Sequence, residues 1–238
     1  MNGPDLSSPE VRALRQRVAL ACRILYKLNL ADYLGHPSAR IGDSGYIVVK
    51  PKHSVRIRGM AEMTSAHMAI VDLDGRQYAG EDAPPSEVSL HLEIYRARPD
   101  VKAVVHTHQL WATCYGIAGR EILPLLHLES QTIADGVAVF PSPQLITTPE
   151  RGRALAEALG PHRIVLMQGH GITTAWPSIE EATLAAIHLE RLAHVNYIVE
   201  ALGGGRVIPP DELATLQAET QPPAGRWAYY SSLVDEPD

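Results

Sequence analysis

Two histidines, His106 and His108, stand two residues apart at the end of the apolar run Val104-Val105. Side chains of a strand alternate faces, so both rings project to one side and Thr107 turns away. Their Cα atoms would lie roughly 6–7 Å apart. Two imidazoles leaning inward from that spacing reach one cation at about 2.1 Å per bond. A pair alone makes a poor site. Glu87 upstream, in Pro84-Pro85-Ser86-Glu87, and His170 downstream, in Gln168-Gly169-His170-Gly171, are the candidates that would complete it.

The elements that must position these groups can be read from periodicity and caps. Ser8-Pro9-Glu10 starts a helix, with a capping hydroxyl, proline at the first helical position and an early acid. Val11, Leu14, Val18, Leu25 and Leu28 follow at helical spacing and predict a helix to about Leu34. Tyr46–Val49, Val55–Ile57 and Met68–Leu73 read as strands, with Asp74-Gly75 turning into a further strand at Arg76–Tyr78. Ser86 is expected to cap a helix that carries Glu87 in its first turn and ends before Pro99. Lys102–His106 is the strand bearing the histidine pair, followed by a short helix over Gln109–Ala118. Val137–Phe140 and Arg163–Gln168 read as strands, and a helix from Thr148-Pro149-Glu150 stops at Gly160. Ser178-Ile179-Glu180-Glu181 is a capping box for a long helix ending at Gly203-Gly204-Gly205. Strands alternating with helices predict an α/β layered fold, with His106, His108 and His170 at strand ends.

Length and composition set the outer bounds. At 238 residues, with 45% hydrophobic and 20% charged residues, the chain is expected to form one globular domain over 1–238. The formal charge of −6 argues against a broad nucleic-acid or anionic-membrane footprint. Two isolated cysteines, Cys22 and Cys114, make no disulfide framework and fit a reducing, cytoplasmic setting. No apolar run of membrane-spanning length occurs, and the first residues carry no signal-peptide pattern. Arg12, Arg15, Arg17 and Arg23 read as a solvated helix face. His67, His91 and His188 read as packing or hydrogen-bonding residues, and Arg56 and Arg58 as a solvated or interface face.

Pro85-Ser86-Glu87, then His106-Thr107-His108, then Gln168-Gly169-His170-Gly171, with Gly35-His36-Pro37-Ser38-Ala39-Arg40 ahead of them, resemble the class II aldolase/adducin family over roughly residues 10 to 200. The resemblance implies a layered α/β/α domain around a mostly antiparallel sheet. It maps the metal ligands onto His106, His108 and His170, with Glu87 able to fill the fourth position and then handle protons. It implies one divalent ion per subunit, and zinc, manganese, iron(II) or cobalt would accept such ligands. It also implies a cytoplasmic homo-oligomer, a tetramer or a multiple, whose sites are completed across subunit boundaries.

The chain departs from the family's sugar-phosphate aldolases where those hold phosphate. His36 replaces an Asn, Lys52-His53 a Thr-Gly turn, Pro85-Ser86 a pair of serines, and Leu128 a tyrosine after His127. These substitutions resemble a branch that decarboxylates hydroxylated aromatic dicarboxylates, and 3,4-dihydroxyphthalate is the specific expectation. Glu87, His36 and Tyr229 are the expected catalytic groups. Tyr229 lies in the aromatic segment Arg226-Trp227-Ala228-Tyr229-Tyr230, which is expected to dock on a neighbouring subunit. Arg40, Lys52, His53 and Ser86 are the expected contacts for a small anionic aromatic substrate, since cationic groups match a second carboxylate. A class II aldolase of a sugar phosphate or hydroxy-keto acid is the alternative, and a non-catalytic adducin-like interaction module the second.

Overall fold

A computed structural model describes residues 3–219 and 223–234. Eight strands form one sheet: β1 (His36–Arg40), β2 (Tyr46–Val49), β3 (Ala69–Asp72), β4 (Gln77–Ala79), β5 (Ala103–Thr107), β6 (Ala138–Phe140), β7 (Ile164–Met167) and β8 (Gly171–Trp176). Their order is β4-β3-β2-β1-β5-β8-β7-β6, antiparallel throughout except for the β6–β7 pair. The helices are α1 (Pro9–Lys27), α2 (Val88–Ala97), α3 (Leu110–Ala118), α4 (Pro149–Leu159), α5 (Ile179–Ala201), α6 (Pro210–Glu219) and α7 (Ala224–Ser231).

Strand alternation divides the core into two layers. Val48, Ile70, Val105 and Ile172 face α1, α3 and α5. Ile47, Val49, Val71, Val104 and Val165 face α2 and α4, which pack on each other. The sheet is thus covered on both faces, which gives the expected α/β/α layering. Local signals account for the helix starts. The side chains of Ser8, Thr148 and Ser178 accept from the amides of Val11, Arg151 and Glu181, each satisfying one of the orphan N–H groups of a first turn.

Several expectations are corrected. The first helix stops at Lys27 because Asn29 adopts a left-handed conformation with φ 57°, which ends the helical path. Residues 36–40, which carry no strand signal in the sequence, form a strand between β2 and β5. Residues 55–57 lie in a turn closed by Ser54 and Ile57, whose backbones bond each other both ways. Arg56 and Arg58 therefore do not alternate on a strand and pair instead with Glu81 and Glu62. Arg23 is not on a solvated face: it is 7% exposed and donates to the Met63 carbonyl at 2.6 Å. Ser86 is exposed and makes no cap bond, and Glu87 itself occupies the N-cap of α2. Residues 171–176, 210–219 and 224–231 form β8, α6 and α7, which had no local signal. No helix among the described residues is long and apolar enough to cross a membrane.

Candidate metal and active site

His106 sits on β5 opposite His36 on β1 and Thr173 on β8, so the three central strands meet at one sheet end. His106 and His108 share a face, as their spacing requires, and their Nε2 atoms lie 2.9 Å apart. His170 enters from the β7–β8 turn, where Gly169 has φ 73°, a conformation open to glycine. Glu87 comes from the start of α2, below the same sheet end. Ligand atoms of Glu87, His106, His108 and His170 all lie within 4.8 Å of one another.

The donor set fits a divalent cation. Both ring nitrogens of His170 are buried and have no hydrogen-bond partner, a costly state unless a further group is bound. Three imidazole nitrogens converge with one carboxylate oxygen, the ligand types of a catalytic zinc-like site. Outer contacts orient the ligands. His106 Nδ1 lies 3.1 Å from Thr173 Oγ1, and the Ile146 amide donates to Glu87 Oε1 at 2.7 Å. His170 Nε2 and His36 Nε2 lie 3.6 and 3.9 Å from Glu87 Oε2.

Protonation favours ligation. Burial, then the neighbouring His170 and His36, push His108 down to about 4. Burial, reinforced by His36, His108 and His170, holds His106 well below the ordinary imidazole value. Burial alone would raise the Glu87 carboxyl, but the nearby His170, His36 and His106 rings and the hydrogen bond from the Ile146 amide together hold it well below the carboxylate range. His106 and His108 thus stay neutral and the acid stays anionic.

His36 is 6% exposed and stacks on His106 at 4.9 Å between ring centroids. Lys52 and His53 are exposed in the turn beyond β2, at the same sheet end, with His53 edge-on to Tyr33. Ser86 is exposed beside Glu87. Arg40 is corrected as a substrate contact. It lies at the opposite end of β1, four residues or roughly 13 Å from His36. There its guanidinium donates to the carbonyls of Val101 and Tyr95 and covers the Tyr95 ring. Tyr229 is 60% exposed on α7, which packs on α5 and α1.

Some contributors went unrecognised. His91 is a hydrogen-bonding residue, as its sequence setting suggests, and its partners are His36 and Ser38 beside the site. Glu87, His91 and Tyr95 follow one another at four-residue spacing, a single helix face that could have flagged them. The Ile146 amide, in a loop far along the chain, left no such signal.

Gly171 brings β8 against the histidine strand. A Cβ there would fall on the Thr107 carbonyl oxygen and within 2.9 Å of His108 Cδ2. Gly171→Ala is expected to cost about 2 kcal/mol or more and to lower Tm by about 4–8 °C, with metal binding weakened as His108 shifts. Calorimetry and metal titration measure both; an unchanged Tm would show that the strands tolerate the methyl group.

A mostly antiparallel sheet clad in helices carries three imidazoles and an acid converging at one end, a donor set able to hold a divalent cation. The sequence profile of the Class II Aldolase and Adducin N-terminal domain matches residues 16–197, and the chain belongs to that family. It is 35% identical over 213 residues to 3,4-dihydroxyphthalate decarboxylase of Arthrobacter keyseri, covering 85% of each chain. It is 33% identical to the enzyme of that name from Terrabacter sp., covering 86% of this chain and 89% of the other. Among solved structures, L-fuculose 1-phosphate aldolase from Glaciozyma antarctica superposes with a TM-score of 0.81 at 21% identity, over 98% of this chain and 93% of that one.

Proposed function

We propose that this protein is a metal-dependent carbon–carbon lyase that decarboxylates a hydroxylated aromatic dicarboxylate, with 3,4-dihydroxyphthalate as the specific substrate. The convergence of Glu87, His106, His108 and His170 within 4.8 Å carries the lyase reading, because an interaction module has no use for three inward imidazoles. The likeness to decarboxylases over most of the chain, and the residues that replace the aldolases' phosphate-holding groups, support the choice of reaction.

In this reading His106, His108 and His170 hold the ion, with Glu87 as a fourth ligand before substrate enters. A divalent ion held there would supply positive charge to stabilise the negative charge that builds on the substrate as the carbon–carbon bond breaks. Glu87 takes the proton of a ring hydroxyl as substrate binds. The carboxylate leaves as carbon dioxide, and its bonding electron pair stays with the ring. Glu87 then returns its proton to that ring carbon, and the product regains the hydroxyl proton from water. His36 faces the reacting groups through Nε2. Lys52 and His53, with Ser86, bind the second carboxylate from the exposed rim. Tyr229 completes the site of another copy in a homo-oligomer, a tetramer or a multiple.

Metal-loaded protein is expected to release carbon dioxide from 3,4-dihydroxyphthalate, followed by a coupled carbon dioxide assay, and no aldehyde from fuculose 1-phosphate. Aldehyde release without carbon dioxide would replace this reading with the aldolase one. Protein that never retains a divalent ion on reconstitution would replace both with the interaction-module reading.

A further inference from the structure

Behind His36 runs a buried chain of polar groups that the proposed reaction does not use. His36 Nδ1 lies 2.8 Å from His91 Nε2, His91 Nδ1 lies 2.7 Å from Ser38 Oγ, and Ser38 Oγ lies 2.8 Å from Tyr95 Oη. Ser38 and His91 are fully buried and Tyr95 is 1% exposed. The chain joins two elements. His36 and Ser38 share one face of β1, and His91 and Tyr95 lie one turn apart on α2.

Each neutral imidazole has one donor and one acceptor nitrogen, so the hydrogens between the two rings run in one of two directions, and Ser38 has a single proton to give. If they run from His36 towards Ser38, two hydroxyl protons remain at Ser38 and Tyr95 with one acceptor between them on this chain, and one buried proton is left over. At the other end, a lone pair on His36 Nε2 would then face Glu87 Oε2 at 3.9 Å. Both ends are unfavourable. If the hydrogens run the other way, Tyr95 donates to Ser38, Ser38 to His91 Nδ1, and His91 Nε2–H to His36 Nδ1. Every buried proton inside the chain then has an acceptor, and the proton left on His36 Nε2 faces the Glu87 carboxylate, with Nε2 3.9 Å from Oε2. Burial pushes the Tyr95 phenol up, so it keeps its proton, and Ser38 Oγ at 2.8 Å is the partner that proton meets. Burial holds His91 well below the ordinary imidazole value, so that ring carries one proton.

We propose that Tyr95, Ser38 and His91 are positioning residues that lock His36 in its Nε2–H form, so that His36 presents a fixed donor to an anionic oxygen of Glu87 or of the substrate. The consequence is selection: a carboxylate or phenolate oxygen is accepted at this position and a donor group is rejected. This use of the donor rests on the decarboxylase reading. The tautomer itself does not.

Nitrogen-15 NMR of histidine-labelled, zinc-loaded protein tests the lock. His36 Nδ1 is expected at the shift of an unprotonated, hydrogen-bonded nitrogen and Nε2 at that of a protonated one. His91→Leu is expected to release His36 to a mixture of tautomers. His91→Gln, whose amide can still donate, is expected to restore the Nε2–H form. Ser38→Ala, a small change that preserves packing, is expected to free the tautomer of His91 even if His91→Leu fails to fold. With 3,4-dihydroxyphthalate as substrate, His91→Leu is expected to raise KM about tenfold with a smaller change in kcat, and His91→Gln to recover most of it. A proton on His36 Nδ1 in the parent protein, or a His91 tautomer unchanged by Ser38→Ala, would overturn the proposal. Loss of carbon dioxide release with the NMR pattern intact would overturn only the decarboxylase reading.

Discussion

Glu87→Gln is expected to retain its divalent ion and to turn over about 10²–10⁴-fold more slowly than the parent, the usual worth of a positioned acid–base group. Glutamine keeps the length of the side chain and its Oε1, which accepts from the Ile146 amide at 2.7 Å, so the start of α2 has no reason to move. What changes is the other atom. An amide N–H₂ replaces Oε2, which faces His170 at 3.6 Å and His36 at 3.9 Å, and an amide neither takes up nor returns a proton. Three imidazoles still converge on the ion, and three protein ligands are enough for a catalytic site. Metal content measured by plasma mass spectrometry beside steady-state rates separates binding from proton handling. A variant that kept nearly full activity would remove Glu87 from the proton path and leave it a ligand only.

The parts of this molecule that were legible in the sequence are those written in local chemistry. The helices opened by Ser8, Thr148 and Ser178 declare themselves because a capping hydroxyl satisfies amides a few residues away. Likewise, His106 and His108 need only strand alternation to share a face. β1 and β8 were illegible because what makes them strands is distant. β1 carries Pro37, which lacks a ladder donor, and is held between β2 and β5 by residues remote in sequence. β8 begins at a glycine after a turn and reads as loop until β5 and β7 flank it. Arg40 misled for a related reason. A cation near a functional loop suggests a substrate carboxylate, but in a strand four residues carry it to the other sheet end, where two backbone carbonyls take its donors. His91 shows the reverse. Its spacing from Glu87 was readable, yet a histidine on a buried helix face looks the same whether it packs or serves a second ring.

His108→Ala is expected to lose metal and activity together, in contrast to Glu87→Gln. His108 is half-buried, placed where β5 ends and before α3 begins, so its removal leaves no large buried void. It does leave two imidazoles and one carboxylate, and His170 regains unsatisfied nitrogens. The stability consequence is separable from the catalytic one. Metal at a hundredfold excess over its Kd stabilises a folded protein by about 2.7 kcal/mol, which for a chain of this size is a Tm increase of about 5–11 °C. The parent is expected to show that increase on adding zinc or manganese, and His108→Ala to show almost none. Without metal, the two proteins should melt within a few degrees of each other. Burial, ahead of the neighbouring His170 and His36, holds His108 down to about 4, so the ring is uncharged near neutral pH and its deletion loses packing without removing a charge. If His108→Ala kept its metal and its metal-induced Tm increase while activity fell, the ring would be acting on substrate and not on the ion. The ligand set would then have to be completed by His36, which already stacks on His106 at the same sheet end.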